Sequence, residues 1–435
     1  MHNDKKRQAA RAAHALVLLL GALSSAAAPA TAGGGAAASQ AYLEAADRAY
    51  RDGNYDEYAT ALETAFEMNP ASYYTRYNLA CAWALTGRHE RALDMLEQLG
   101  RARVDFGMAG DVDLASLRDL PRFRALLDEV ERTTRPTHGS RLYFRAQELG
   151  LVPEGIAFDA ASGRIFFGSM RSGEIFVLDR HMNLARFAQV AEHGTLAAIG
   201  MTVDAQRGLL WVIGTRLPMT ENFDGHAPAS TGVFGFALDS GALRHKYLRD
   251  DIDIGYNDVA LGPAGELYLS GGRLGVVAVG AGRIRDLPLA TPIVGSNGIV
   301  ASADGQWLLT SSYPVGIAAV RLADGAVHYL EAPADVPLYG IDGMYWHDGA
   351  LIAVQNGVRP WRLMRLELNA SLTAVTDARA IDFANADSTA TTAVIDGERL
   401  LHIGRGPAPD HAPAHFPGDM TPYLGKAVIM TAPLD

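Results

Sequence analysis

Pro153-Glu-Gly-Ile-Ala-Phe-Asp-Ala-Ala-Ser-Gly-Arg-Ile-Phe-Phe-Gly168, running on into Gly173-Glu-Ile-Phe-Val-Leu-Asp179, is the stretch on which the reading of the fold turns. It reads as a strand, a polar Asp/Gly turn, a second strand, a Gly turn and a third strand. Degraded copies begin at Gly200-Met-Thr-Val-Asp204, Asn257-Asp-Val-Ala-Leu261, Asn297-Gly-Ile-Val-Ala301, Asp342-Gly-Met-Tyr-Trp346 and, weakly, near Ala390-Thr-Thr-Ala-Val-Ile-Asp396. Aligned on the turn, the residues that open the copies are Glu154, Ile199, Asn257, Asn297, Asp342 and roughly Ala390, spaced by 45, 58, 40, 45 and about 48. Short β runs at that period predict a β-propeller, because a single blade cannot bury both faces and must stack on its neighbours. Equivalent positions then meet around a central channel. Strand interiors disfavour Asn and Asp, so four oxygen-bearing residues at one equivalent position mark a candidate site.

The chain of 435 residues is long for one domain, and its 49% hydrophobic and 20% charged content is that of an ordinary globular protein. A net charge of −11 argues against a nucleic-acid partner, which needs clustered Lys and Arg on phosphates. The N-terminus reads as a secretory signal over residues 1–32. Lys5, Lys6, Arg7 and Arg11 precede the apolar run Ala15–Leu23, and small residues end in Ala30-Thr-Ala32. That run is too short to span a bilayer, so the expected location is periplasmic or secreted with no membrane span after signal removal. The single cysteine, Cys81, allows no internal disulfide and is expected as a small core residue.

Residues 33–39, glycine- and alanine-rich, read as a flexible tether, and residues 40–135 as helical. Apolar residues recur with helical spacing through Tyr42, Leu43, Ala46 and Tyr50, then Tyr58, Leu62 and Phe66. Asn69-Pro70, Tyr77-Asn-Leu-Ala80, Gly87 and Ala92-Leu93 resemble tetratricopeptide repeats, with Gly87 at the turn and Ala80 and Ala92 allowing close helix approach. Asp111–Leu127 reads as a capping helix with Pro121 in its first turn. Such a module would either bind an extended peptide partner or pack as a cap on its neighbour. Its two repeats favour the cap.

Residues 140–435 hold the propeller. Arg141-Leu-Tyr-Phe-Arg145 falls outside the first copy and is expected to complete the last blade beside Lys426–Thr431. Two insertions, 218–230 and 406–418, read as functional loops; His411 and His415 in the second lack helical geometry for a metal.

Pro153-Glu154-Gly155, Asn257-Asp258, Ser296-Asn297-Gly298 with Asp304-Gly305, and Asp342-Gly343-Met344, in that order at blade spacing, resemble the regucalcin/gluconolactonase family, and Asn257–Pro263 is also similar to paraoxonase-type lactonases. The resemblance implies an all-β six-bladed propeller preceded by the small α-helical domain. It implies a divalent metal in the channel held by Glu154, Asn297 and Asp342, with Asn257 as a further ligand or substrate-binding group. Such an all-oxygen set suits Ca²⁺, with Mg²⁺, Mn²⁺ or Zn²⁺ as poorer fits. A metal open on one side polarises an ester or lactone carbonyl, with Asp342 the expected catalytic base. The implied function is metal-dependent hydrolysis of a small lactone or ester; the alternative is a non-catalytic, metal-stabilised binding propeller. Two departures stand out. Asp253-Ile-Gly-Tyr-Asn257 lacks the basic residue that grips a sugar lactone, and Ile199 stands where paraoxonase-type members have a histidine, with His193 several residues upstream. Ile199, Tyr256, Tyr339 and Tyr345 predict a less polar pocket.

Overall fold

The structure is a computed structural model that describes residues 32–193, 197–218, 220–221, 223, 230–252, 254–385, 390–405 and 426–434. The expected signal segment and the histidine-bearing insertion with His411 and His415 lie outside the described residues, as does most of the 218–230 insertion.

Among the described residues the strands form six four-stranded antiparallel sheets. Blade 1 runs β2 (Pro153–Asp159), β3 (Arg164–Ser169), β4 (Glu174–Leu178) and β5 (Leu184–Gln189). Blades 2 to 5 repeat that order, opening with innermost strands β6 (Ala197–Asp204), β10 (Tyr256–Leu261), β14 (Ser296–Ala301) and β18 (Ile341–His347). Blade 6 is built from both ends of the fold. Its strands β22 (Ala393–Asp396), β23 (Arg399–Arg405) and β24 (Lys426–Pro433) are completed by β1 (Arg141–Leu149), which pairs Arg141 with Thr431 and Arg145 with Val428. The predicted closing strand is therefore in place, and the ring has no open edge at that seam. Each innermost strand touches the next, and β22 touches β2, so the six enclose one axis.

Hydrophobic periodicity explains why the sheets stack. Each of the six blade junctions holds its own buried cluster: Phe166 with Phe234 between blades 1 and 2, Trp211 with Leu269 between 2 and 3, and Tyr268 with Leu308 between 3 and 4. Leu309 packs with Leu351, Val354 with Leu400, and Ile429 with Phe167 at the remaining three. Burying one such side chain contributes roughly 1.5–3 kcal/mol. The Asp/Gly turns read from sequence are built as expected: Asp159 accepts hydrogen bonds from Ala161 N and Ser162 Oγ, and Gly163 takes a positive φ of 71°.

The N-terminal region is helical: α1 (Ala32–Arg51), α2 (Tyr55–Met68), α3 (Tyr73–Leu85), α4 (His89–Arg101), a 3-10 turn (Val112–Leu117) and α5 (Pro121–Thr133). Two expectations are corrected here. Residues 33–39 are no tether but the first turns of α1, because a Cβ at Gly35 would fall 2.2 Å from Met68 O; glycine there serves close packing on the end of α2. Asp111–Leu127 is not one helix. Asp111 caps the 3-10 turn, and α5 starts afresh with Pro121 in its first turn. Asn54 and Ser72 cap α2 and α3, Ala80 and Ala92 are fully buried, and Cys81 lies in the core. Among the described residues no helix is long and apolar enough to cross a membrane.

The helical region is welded to the propeller. Tyr339 and Val358, from blade 5, belong to its hydrophobic core. The buried Arg362 donates to Ala102 O (3.3 Å) and Arg103 O (2.7 Å) just past the end of α4, and both Arg103 and Arg362 stack on Phe383. The linker is pinned as well: Thr137 and Phe383 exchange backbone hydrogen bonds, and Gly139 N donates to Asp382 Oδ1.

Candidate functional site at the channel mouth

Five of the six innermost strands carry a β-bulge at their opening. The register slips between Glu154 and Ile156, Ala198 and Met201, Tyr256 and Val259, Ser296 and Ile299, and Ile341 and Met344. A bulge re-aims the side chain it carries; Ile199, Asn257, Asn297 and Asp342 fall within these slips, and Glu154 borders the one in blade 1. Glu154, Asn257, Asn297 and Asp342 are each half-buried while the residue before each is buried. They stand on the innermost strands of blades 1, 3, 4 and 5.

Glycines let these strands meet. A Cβ on Gly155 would lie 2.2 Å from Ile199 O, one on Gly200 2.5 Å from Asn257 O, and one on Gly298 2.4 Å from Asp342 O. Hydroxyls on the second strands fix the bulges: Thr310 Oγ1 donates to Gly298 O (3.0 Å) and Ser311 Oγ to Asp342 O (3.1 Å).

Blade 3 breaks the pattern. Where blades 1, 2, 4 and 5 have Gly155, Gly200, Gly298 and Gly343, it carries Asp258. The Asp258 carboxylate accepts from Val259 N (2.8 Å), while its own N–H donates to Ser270 Oγ (3.2 Å). Burial pushes its carboxyl up to about 7, and the charge of Glu154 adds to that, while the N–H groups of Val259 and Ile299 pull the other way. Asp258 is thus a further carboxyl near Glu154, one residue past the opening position of its copy. The signal was available: it is the residue that occupies a glycine slot.

Asp342 Oδ2 accepts from Asn356 Nδ2 (2.6 Å). Of the three tyrosines expected near the mouth, only Tyr345 is there. Its hydroxyl pairs with Thr392 Oγ1 (2.7 Å) and accepts from Ala393 N, and it is pushed upward by burial first and by the charges of Asp258 and Asp342. Tyr256 is instead buried between blades 2 and 3, and Tyr339 in the core of the helical region; both are corrected as pocket residues. Ile199 is buried in the junction of blades 2 and 3, and His193 lies in a 3-10 turn against Phe234 and Phe236.

Among the described residues there is no cluster of three or more His, Cys, Asp or Glu side chains arranged to hold a metal ion. A cation at this mouth would rest on the two carboxylates of Glu154 and Asp342 together with amide oxygens. The donor set fits a hard, oxygen-seeking ion. The raised carboxyl of Asp258 is first an effect of burial, with the Glu154 charge a smaller addition.

The chain is a six-bladed propeller whose innermost strands carry Glu154, Asn257, Asn297 and Asp342 at their openings. No family model and no curated protein matches the chain. Solved structures similar to it include a gluconolactonase from Xanthomonas campestris at 16% identity, covering 69% of this chain and 96% of that one with a TM-score of 0.45. A calcium-binding regucalcin from Agrobacterium tumefaciens is similar at 15% identity, covering 67% and 93% with a TM-score of 0.45. So is a luciferin-regenerating enzyme, at 13%, covering 69% and 95% with a TM-score of 0.48. Likeness at this distance says nothing of chemistry, and the six-bladed ring rests on the chain's own strand pairing.

Proposed function

We propose that the protein is an exported hydrolase of lactones or related esters that works with a divalent cation at the channel mouth. One observation carries this reading: Asn257, Asn297 and Asp342 lie within the opening bulges of three innermost strands, and Glu154 lies at the edge of the corresponding bulge in blade 1. Glu154, Asn297 and Asp342 would hold the ion, most simply Ca²⁺. When bound, it supplies the positive charge that offsets charge building on a carbonyl oxygen. Asn257 binds the substrate through its amide. Asp342 takes the proton of the attacking water at its carboxylate, which Asn356 Nδ2 holds in place through Oδ2. The stretch Asp253-Ile-Gly-Tyr-Asn257 carries no basic residue, which favours an apolar lactone over a sugar lactone.

The helical region, in this reading a tetratricopeptide-like cap, is occupied by the propeller's Tyr339 and Val358, which favours packing over peptide capture. The test is turnover of a panel of aliphatic and aromatic lactones and esters, with and without EDTA. Turnover is expected to vanish in EDTA, to return with Ca²⁺, and to fall at least about 10²-fold in Glu154→Gln and Asp342→Asn while both variants stay folded. A blank panel, with EDTA lowering only the melting temperature, would replace this reading with that of a metal-stabilised binding propeller.

A further inference from the structure

We infer that Asn356 is a positioning residue for Asp342, and that the helical region holds it there by gripping the two loops on which its own supports are built. This rests on the reading of Asp342 as a working carboxylate at the mouth. It assigns roles to Asn356, Tyr313 and the helical region that no repeat position marks.

Asn356 lies in the loop between β19 (Ala350–Gln355) and β20 (Arg362–Leu368), and its amide is fully engaged. Nδ2 donates to Asp342 Oδ2 (2.6 Å) and to Ala390 O (3.2 Å), while Oδ1 accepts from the Tyr313 hydroxyl (2.8 Å). A carboxylate and a carbonyl can only accept, so the two acceptors fix which way the amide faces. Tyr313, in the loop between β15 (Trp307–Ser312) and β16 (Gly316–Arg321), keeps its proton: burial and then the Asp342 charge push its hydroxyl well above the usual range. The donor direction therefore runs from Tyr313 to Asn356 to Asp342.

The backbone makes this arrangement stiff. Gly340 stands just before β18, and its N–H donates to Tyr313 O (2.8 Å). The N–H groups of Asn356 and Gly357 both donate to Gly340 O (3.1 and 2.9 Å). A Cβ on Gly357 would lie 2.5 Å from the Gly340 Cα and 2.8 Å from the Tyr313 hydroxyl, so glycine is needed for the three segments to touch.

Both loops are then tied to the helical region. Asn69, at the end of α2, donates through Nδ2 to Pro314 O (2.8 Å) beside Tyr313. Asp105 N donates to Arg359 O (2.7 Å) in the Asn356 loop, and Val358 of that loop is buried in the helical core. Tyr339 bridges the two: its ring packs against Tyr313 at 6.3 Å between centroids, and it is buried in the hydrophobic core of the helical region. A carboxylate that must keep one direction in a channel is served by supports locked on rigid elements, and loss of such supports typically costs 10–100-fold in metal affinity or activity.

The test uses the full chain and three variants: Asn356→Leu, Tyr313→Phe and Asn69→Leu. Crystal structures read the Asp342 side chain directly, whatever the protein's chemistry. In Asn356→Leu the carboxylate is expected to leave its wild-type rotamer, and in Tyr313→Phe the Asn356 amide is expected to turn or lose order. Calcium titration and lactone turnover supply the second readout, with Ca²⁺ affinity and kcat falling about 10–100-fold in Asn356→Leu, less in Tyr313→Phe and least in Asn69→Leu, at unchanged KM. An Asp342 side chain in its wild-type place in both Asn356→Leu and Tyr313→Phe would overturn the inference. Should the wild type neither bind Ca²⁺ nor turn over any lactone, the proposed function falls, and the Asp342 rotamers still decide the positioning.

Discussion

His402 shows what a single buried residue does to the chain's response to acid. It is fully buried on β23, with Nε2 2.9 Å from Ser140 Oγ, and burial pushes its imidazole down to about 4 against an ordinary 6.5. The folded protein therefore keeps it neutral while the unfolded chain protonates it. The stability it contributes is complete above pH 6.5 and is lost as pH falls through 6.5 toward 4, amounting to about 3 kcal/mol across that window. His402→Gln keeps a partner for Ser140 without a titrating group. In urea unfolding, the wild type's stability relative to this variant should drop between pH 7.5 and 4.5; a constant difference would mean that His402 titrates normally. The site was legible at the same scale only in part. Glu154, Asn257, Asn297 and Asp342 announced themselves because an acid or amide at a strand opening runs against propensity. Asp258 hid one place further on, and Asn356 hid in a loop outside the repeat, where an asparagine needs no explanation.

At the scale of the element, the bulged strand opening is the recurring device. A bulged innermost strand re-aims a side chain and must also let its neighbour's backbone come within contact distance. Gly298 meets the second need for β14 and β18. Gly298→Ala would press a methyl to 2.4 Å from Asp342 O and 2.6 Å from Met344 N, both backbone atoms that cannot swing aside. Its unfolding free energy should fall by about 1–3 kcal/mol, whereas Gly110→Ala, with nothing nearer than 4.0 Å, should be close to neutral. Equal effects in denaturant titrations would contradict the close approach. The repeat period and the Asp/Gly turns made the blades readable, because strand and turn chemistry is local. The start of α1 was misread for the converse reason: Gly33–Gly35 look like a tether by composition, and only the end of α2, more than thirty residues on, shows that Gly35 is there for packing.

For the whole molecule, two facts matter most: the ring closes with β1 beside β24, and the helical region is fastened to the rim by Arg362, Tyr339, Val358 and Asn69. The closure could be read in sequence, since Arg141–Arg145 is a strand with no place in the first copy. The fastening could not, because Tyr339 and Val358 look like ordinary blade residues until the partner surface is known. Closure also brings the strand openings of blades 1 and 5, almost two hundred residues apart, to one axis. The most direct test of that convergence is a crystal structure grown with Mn²⁺ as a stand-in for Ca²⁺ and measured for anomalous scattering. One strong peak is expected in the channel mouth, within about 2.0–2.6 Å of carboxylate or amide oxygens of Glu154, Asn297 and Asp342. A channel without a peak, or a peak elsewhere with those three side chains turned apart, would contradict the site.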